Sequence, residues 1–164
     1  MVGIPEYALE RLYDAPAELL WKSWADAALF SRWYGAGVQA IVHKMDVRPN
    51  GEALIELKWG DNSLFQRFRY IAVEPYERLT WLFSSTNHNW EIVPSPLAEA
   101  WPANFLTTIK LEPHEGKFIL HLSLTPVEAS DAEIMAFRKA RLNIDDGWNA
   151  GMKVLDEIIE ELKK

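Results

Sequence analysis

Four histidines, His43, His88, His114 and His121, are the first candidates for proton-transfer or metal chemistry in this 164-residue chain. Their separations fit neither one helix face nor a hairpin pair, so the spacing predicts no metal centre. The chain has no cysteine, which removes a thiolate nucleophile, a disulfide framework and any Cys-ligated metal. None of G-x-S-x-G, H-E-x-x-H, G-x-G-x-x-G or a phosphate-binding loop occurs, and no cofactor is predicted. His114 falls in a turn and His121 alternates with inward leucines, so both are expected to face solvent. His43 is the one weak catalytic candidate. If Ile41, Met45 and Val47 point inward, strand parity carries His43 inward with them. A neutral imidazole there could orient a ligand or act as a general base, although a core histidine bonded to a neighbour is the stronger expectation. His88 and Trp90, in a long loop, form either a lid or a solvated segment whose Trp packs on the rim.

A second chemistry is binding by aromatic rings. Eight Trp, seven Phe and five Tyr are a surplus for a chain of this size. Alternation in the strands collects Trp59, Phe68, Tyr70, Trp81, Phe83, Phe105 and Phe118 on one face. Helical spacing places Trp148, Met152 and Leu155 opposite them, and Trp90 can join from the loop. An apolar pocket with few polar groups is the usual small-molecule site. The same rings could instead fill a core.

The elements that must position these residues follow from pattern. Glu6 to Tyr13 reads as a strand. Asp14 and Pro16 signal the start of a short helix running to Trp24, and Asp26 starts another that Gly35 and Gly37 end. Strands follow over 38–47, 53–59, 64–73 and 79–83, then around Phe105–Leu111 and Phe118–Leu124, with hairpin-length turns that force antiparallel pairing. In these strands Phe68, Tyr70 and Ala72 are expected inward and Arg67 and Arg69 outward. Between them, Asn87 to Pro102 has no period, with a short helix expected around LAEA. From about Ser130 the chain is helical, as one long helix or two in series. The last stretch, DDGWNAGMKVLDEIIEELKK, places Gly147 and Gly151 around Trp148, although each glycine costs about 1 kcal/mol relative to Ala inside a helix. Arg141, three residues before Ile144, either points a cation at a cavity mouth or pairs outward with Asp145.

Several motifs resemble a known family. YDAPAELLWKSWADAALFSRWYG is similar to the opening of the SRPBCC (START-like, helix-grip) superfamily, in its branch homologous to the activator of the heat-shock-protein-90 ATPase. Asp14, Ala15, Pro16, Trp21, Trp24, Arg32, Trp33, Tyr34 and Gly35 occupy the pattern. DVRPNG resembles the family's D-x-R-x-G-G turn with Asn50 in place of a Gly. PYERLTW and GWNAGMKVLDEI resemble its remaining signatures. The resemblance implies an α+β helix-grip fold over residues 1–164 as one domain, a curved antiparallel sheet of about six or seven strands wrapped round a long C-terminal helix. Two short helices would follow the first strand. It also implies that Gly147 and Gly151 thin the helix beside a cavity, with Trp148 closing one end of the core, so that Gly151→Leu should block ligand uptake. Arg32 reads as structural, fixing the second short helix against the sheet. The 87–102 insert and the early helical start at 131 depart from the family pattern.

A net charge of −7 argues against nucleic acid as a partner. No apolar run approaches the roughly 20 residues needed to cross a bilayer. No secretory signal is visible, and a cytoplasmic location is the default. The favoured function is binding a small hydrophobic or aromatic molecule between sheet and terminal helix. The alternatives are a cyclase- or hydrolase-type enzyme using the same cavity, and a co-chaperone-like module of the stress response that contacts a chaperone. A homodimer through an edge strand or the Trp-rich loop stays open.

Overall fold

A computed structural model describes residues 5–96 and 100–163. The chain runs β1 (Tyr7–Tyr13), α1 (Ala17–Ala25), α2 (Ala27–Trp33), β2 (Gln39–Met45), β3 (Glu52–Trp59), β4 (Asn62–Glu74), β5 (Arg78–Thr86), β6 (Asn104–His114), β7 (Lys117–Pro126), α3 (Asp131–Lys139) and α4 (Arg141–Leu162). All seven strands form one curved antiparallel sheet in the order β1-β7-β6-β5-β4-β3-β2. Short connections explain the pairs β2-β3, β3-β4, β4-β5 and β6-β7, whereas β5 and β6 are joined through the long segment 87–103 and β1 is carried across to pair with β7 from Tyr7↔Leu124 to Tyr13↔Phe118. The sheet grips α4, giving the α+β helix-grip arrangement.

Local signals account for the helix starts. The Asp26 carboxylate accepts from Leu29 N at 3.1 Å and caps α2. Pro16 stands at the start of α1 without a side-chain cap. Ser130 and Glu133 form a reciprocal capping box on α3, and Ala140 separates α3 from α4, so the terminal helical region is two helices in series. The turn before β3 needs its unusual residues. Asn50 lies at φ 67°, a left-handed conformation that Asn tolerates better than most residues, and a Cβ on Gly51 would stand 2.2 Å from the Asp46 carbonyl oxygen.

The core lies between the inner sheet face and the helices. Trp24, Phe30 and Trp33 from α1 and α2 meet Ile55, Phe68, Tyr70 and Trp81 from the sheet and Met152 and Leu155 from α4, all buried. Ion pairs of Arg11 with Asp156 and of Arg32 with Glu161 tie the outer side of α4 to β1 and α2. Arg32 therefore joins α2 to α4, where the motif had implied that it fixes this helix against the sheet. Asp145 accepts from the Tyr7 hydroxyl at 2.7 Å, and no ion pair joins it to Arg141 among the described residues.

Two β-bulges overturn the simple alternation. In β2, Val42 pairs with Ile55 and Lys44 with Leu54, leaving His43 as the extra residue. Ala40, Val42 and Met45 consequently pack on the core, while Ile41 and His43 face the outer side. In β4, Tyr70 pairs with Trp81 and Ala72 with Thr80, leaving Ile71 extra. Val73 is then inward and Ala72 outward, contrary to parity. The helix expected at LAEA falls on residues 97–99, outside the described residues.

Candidate functional site

A cavity of about 310 Å³ opens between the inner face of the sheet and the first half of α4. Its floor is built by alternate residues of neighbouring strands: Leu57, Gln66, Trp81, Phe83, Phe105, Thr107 and Leu124. The α2 end contributes Trp33, Tyr34 and Gly35, the insert contributes Trp101, and α4 contributes Asn143, Ile144, Gly147 and Trp148. None of these lining side chains carries a formal charge.

The aromatic walls are braced by ring contacts. Trp148 stacks on Trp24 with centroids 6.2 Å apart, and Trp81 stacks on Phe68 at 5.2 Å. Trp101, Phe105 and Phe137 form a tilted cluster with centroids 5.4–6.0 Å apart, which anchors α3 and the end of the insert at one wall. Trp33 is held by its indole N–H, which donates to the Ser23 carbonyl at 2.8 Å. Trp24, buried beside it, has no acceptor for its indole N–H among the described residues.

Polar groups are few. The Tyr34 hydroxyl donates to Gln66 Oε1 at 2.7 Å, and burial pushes the Tyr34 phenol well above its ordinary pKa, so it stays protonated. Thr107 is 4% exposed, and no hydrogen bond engages its hydroxyl among the described residues. The α4 glycines divide the work. A Cβ on Gly147 would meet nothing within 4 Å, so this glycine widens the cavity. Gly151 instead lies against Trp33, with a Cβ 3.6 Å from the ring and from the Trp33 carbonyl oxygen. It belongs to the crossing of α2 and α4. Blocking the cavity is therefore a task for position 147, not 151.

Of the sequence-predicted lining residues, Trp81, Phe83, Phe105 and Trp148 border the cavity. Phe68, Tyr70, Met152 and Leu155 are buried behind that wall. Three lie elsewhere. Trp59, 37% exposed, sits at the end of β3 beside the hairpin turn, where the sheet outruns the helices. Phe118 packs at the opposite end, near Pro16 and Leu19. Trp90 meets the rings of His43 and Phe65, each with centroids 5.4 Å away, on the outer face of the sheet. It is not a lid. His43, through the β2 bulge, also faces outward and bonds Glu56 at 2.9 Å, so it cannot reach a molecule in the cavity. His121 lies between Glu10 and Glu112 at 3.1 and 2.8 Å on that outer face.

Reasoning from sequence missed Trp33, Tyr34, Gln66, Trp101, Thr107, Asn143 and Ile144. Two left a signal. Gln66 stands two residues before Phe68, and Thr107 lies between Phe105 and Ile109, so each is a polar residue in an inward register.

Residues 14–160 match the model of the family described as Activator of Hsp90 ATPase homolog 1-like protein. The chain belongs to that family. No curated protein matches its sequence. Solved structures resemble this family member over nearly their whole length. A protein from Arthrobacter aurescens has a TM-score of 0.78 at 17% identity, with 98% of this chain and 92% of that one covered. One from Mycobacterium smegmatis scores 0.77 at 13% identity, covering 98% of each chain. One from Chromobacterium violaceum scores 0.73 at 21% identity, covering 94% and 96%. At these identities the likeness establishes the fold alone. Among the described residues, no helix is long and apolar enough to cross a membrane.

Proposed function

We propose that this family member binds a small, largely apolar or aromatic molecule between its sheet and α4. The observation that carries the reading is a cavity of about 310 Å³, walled by Trp and Phe and lined by no charged side chain among the described residues, whose α4 side is left open at Gly147. Its volume and its few polar groups match the general character of small-molecule sites. Native mass spectrometry of the freshly purified protein tests the idea. A discrete extra mass that is lost on denaturation, and absent from Gly147→Leu, is the expected result. An extra mass that survives the Gly147→Leu substitution would place any ligand elsewhere, and the reading would fall.

The family's description supports a second reading, contact with a chaperone through the surface. Pulldown with purified heat-shock protein 90 tests it, with Gly147→Leu expected to leave the contact intact. General-base catalysis by His43 gains no support, because its imidazole lies across the sheet from the cavity.

A further inference from the structure

The polar side chains of the cavity define what its occupant must offer. Gln66 accepts the Tyr34 hydroxyl at Oε1, which fixes the amide and leaves both Nε2 hydrogens without a partner among the described residues. Thr107 is more constrained still. Its hydroxyl is unpartnered on a residue 96% buried, and it borders the same cavity. That oxygen is not among the fully enclosed unpaired atoms, which among the described residues are Trp24 Nε1 and Thr86 Oγ1, so it opens to the cavity and is free to bond an occupant.

Strand register sets these two groups apart. Gln66 pairs with Ser85 and Thr107 with Trp81, and Ser85 and Trp81 are four residues apart on β5. That separation is about 13 Å along the strands, before the reach of the side chains is counted. Phe83 and Trp81 occupy the floor between them. Among the described residues no lining side chain could neutralise a charge, and an unpaired ion in such a site is strongly disfavoured.

We infer that the occupant is a neutral, elongated aromatic molecule with a hydrogen-bond acceptor at one end for the Gln66 amide and a second polar group at the other for the Thr107 hydroxyl. The inference rests on the binding function proposed above and specifies its ligand class.

A matched set of biphenyls separates the two claims by calorimetry. The probes are 4-acetyl-4′-hydroxybiphenyl, 4-ethylbiphenyl and 4′-hydroxybiphenyl-4-carboxylate, measured against the intact protein, Gln66→Leu and Thr107→Val. The acetyl-hydroxy probe should bind most tightly, and each substitution should weaken it about tenfold while leaving 4-ethylbiphenyl unchanged. The carboxylate should bind worst. The unliganded Thr107→Val protein should melt no lower than the parent, because it loses only an unpaired hydroxyl. If 4-ethylbiphenyl binds but the substitutions affect both neutral probes equally or not at all, the polar ends are wrong and the cavity reading stands. Carboxylate binding as tight as the neutral probe, or a lower melting temperature for Thr107→Val, overturns the inference as well. If no probe binds, the cavity reading fails and takes the inference with it.

Discussion

Trp24 and Trp33 are adjacent, fully buried and in edge contact at 4.7 Å, yet their indole N–H groups have opposite fates. Trp33 donates to the Ser23 carbonyl, whereas Trp24 finds no acceptor among the described residues. Replacing either by Phe removes the same ring volume. Trp33→Phe also orphans a buried carbonyl, while Trp24→Phe relieves a buried donor of its unmet bond. Trp33→Phe should therefore destabilise the fold by about 2 kcal/mol more than Trp24→Phe. Urea unfolding of the two variants checks this, and equal losses would sink the argument. Both tryptophans were legible in sequence as parts of a motif. Which one has a partner was not, because the acceptor comes from a backbone turn ten residues away from Trp33.

At the scale of elements, α4 carries two glycines for different reasons. Gly151→Ala places a methyl at ordinary contact distance from Trp33, so it should gain roughly 1 kcal/mol from helix propensity. Gly151→Leu forces branches into that ring and should lose about 1–3 kcal/mol. An added Cβ at Gly147 meets nothing within 4 Å, so Gly147→Leu should not destabilise the fold while filling the cavity. Thermal melts of the three variants give the test. If Gly147→Leu melts as low as Gly151→Leu, the cavity is closed in solution. The glycines and the apolar stripe were visible in the sequence of α4, but which neighbour each one faces depends on how α4 crosses α2. The strands teach a related lesson. β3 and β5 to β7 alternate regularly, and the inward sides of Ile55, Trp81, Ile109 and Leu122 follow from pattern alone. β2 and β4 each insert one residue, His43 and Ile71, and neither insertion leaves a mark in the local pattern of side-chain types. A one-residue bulge reverses every later side chain, which moved His43 from an expected cavity wall to the outer face.

For the molecule as a whole, buried phenols should set the alkaline limit of stability. Burial is the main cause that raises Tyr7, Tyr13, Tyr34 and Tyr70 above the ordinary tyrosine pKa, with Asp145 adding to the effect at Tyr7 and Asp156 at Tyr13. Above pH about 10 the unfolded chain releases these protons while the native chain keeps them, so folding stability falls as pH rises. With four such groups the slope should approach about 5 kcal/mol per pH unit. The acid side should be gentler. At Glu52 burial acts upward, but Lys44 and Arg67 outweigh it. Glu56 is lowered by Ser63 and then His43. Both carboxylates sit on the sheet's outer face, where water screens them, and their contribution is lost as pH drops below the ordinary glutamate range. Tyr70→Phe isolates one phenol, since no side chain bonds the Tyr70 hydroxyl among the described residues. Denaturant unfolding from pH 10 to 12 should show its slope reduced by about one proton, or about 1.4 kcal/mol per pH unit. An unchanged slope would mean that Tyr70 ionises in the folded state, and that water reaches the core behind the cavity wall.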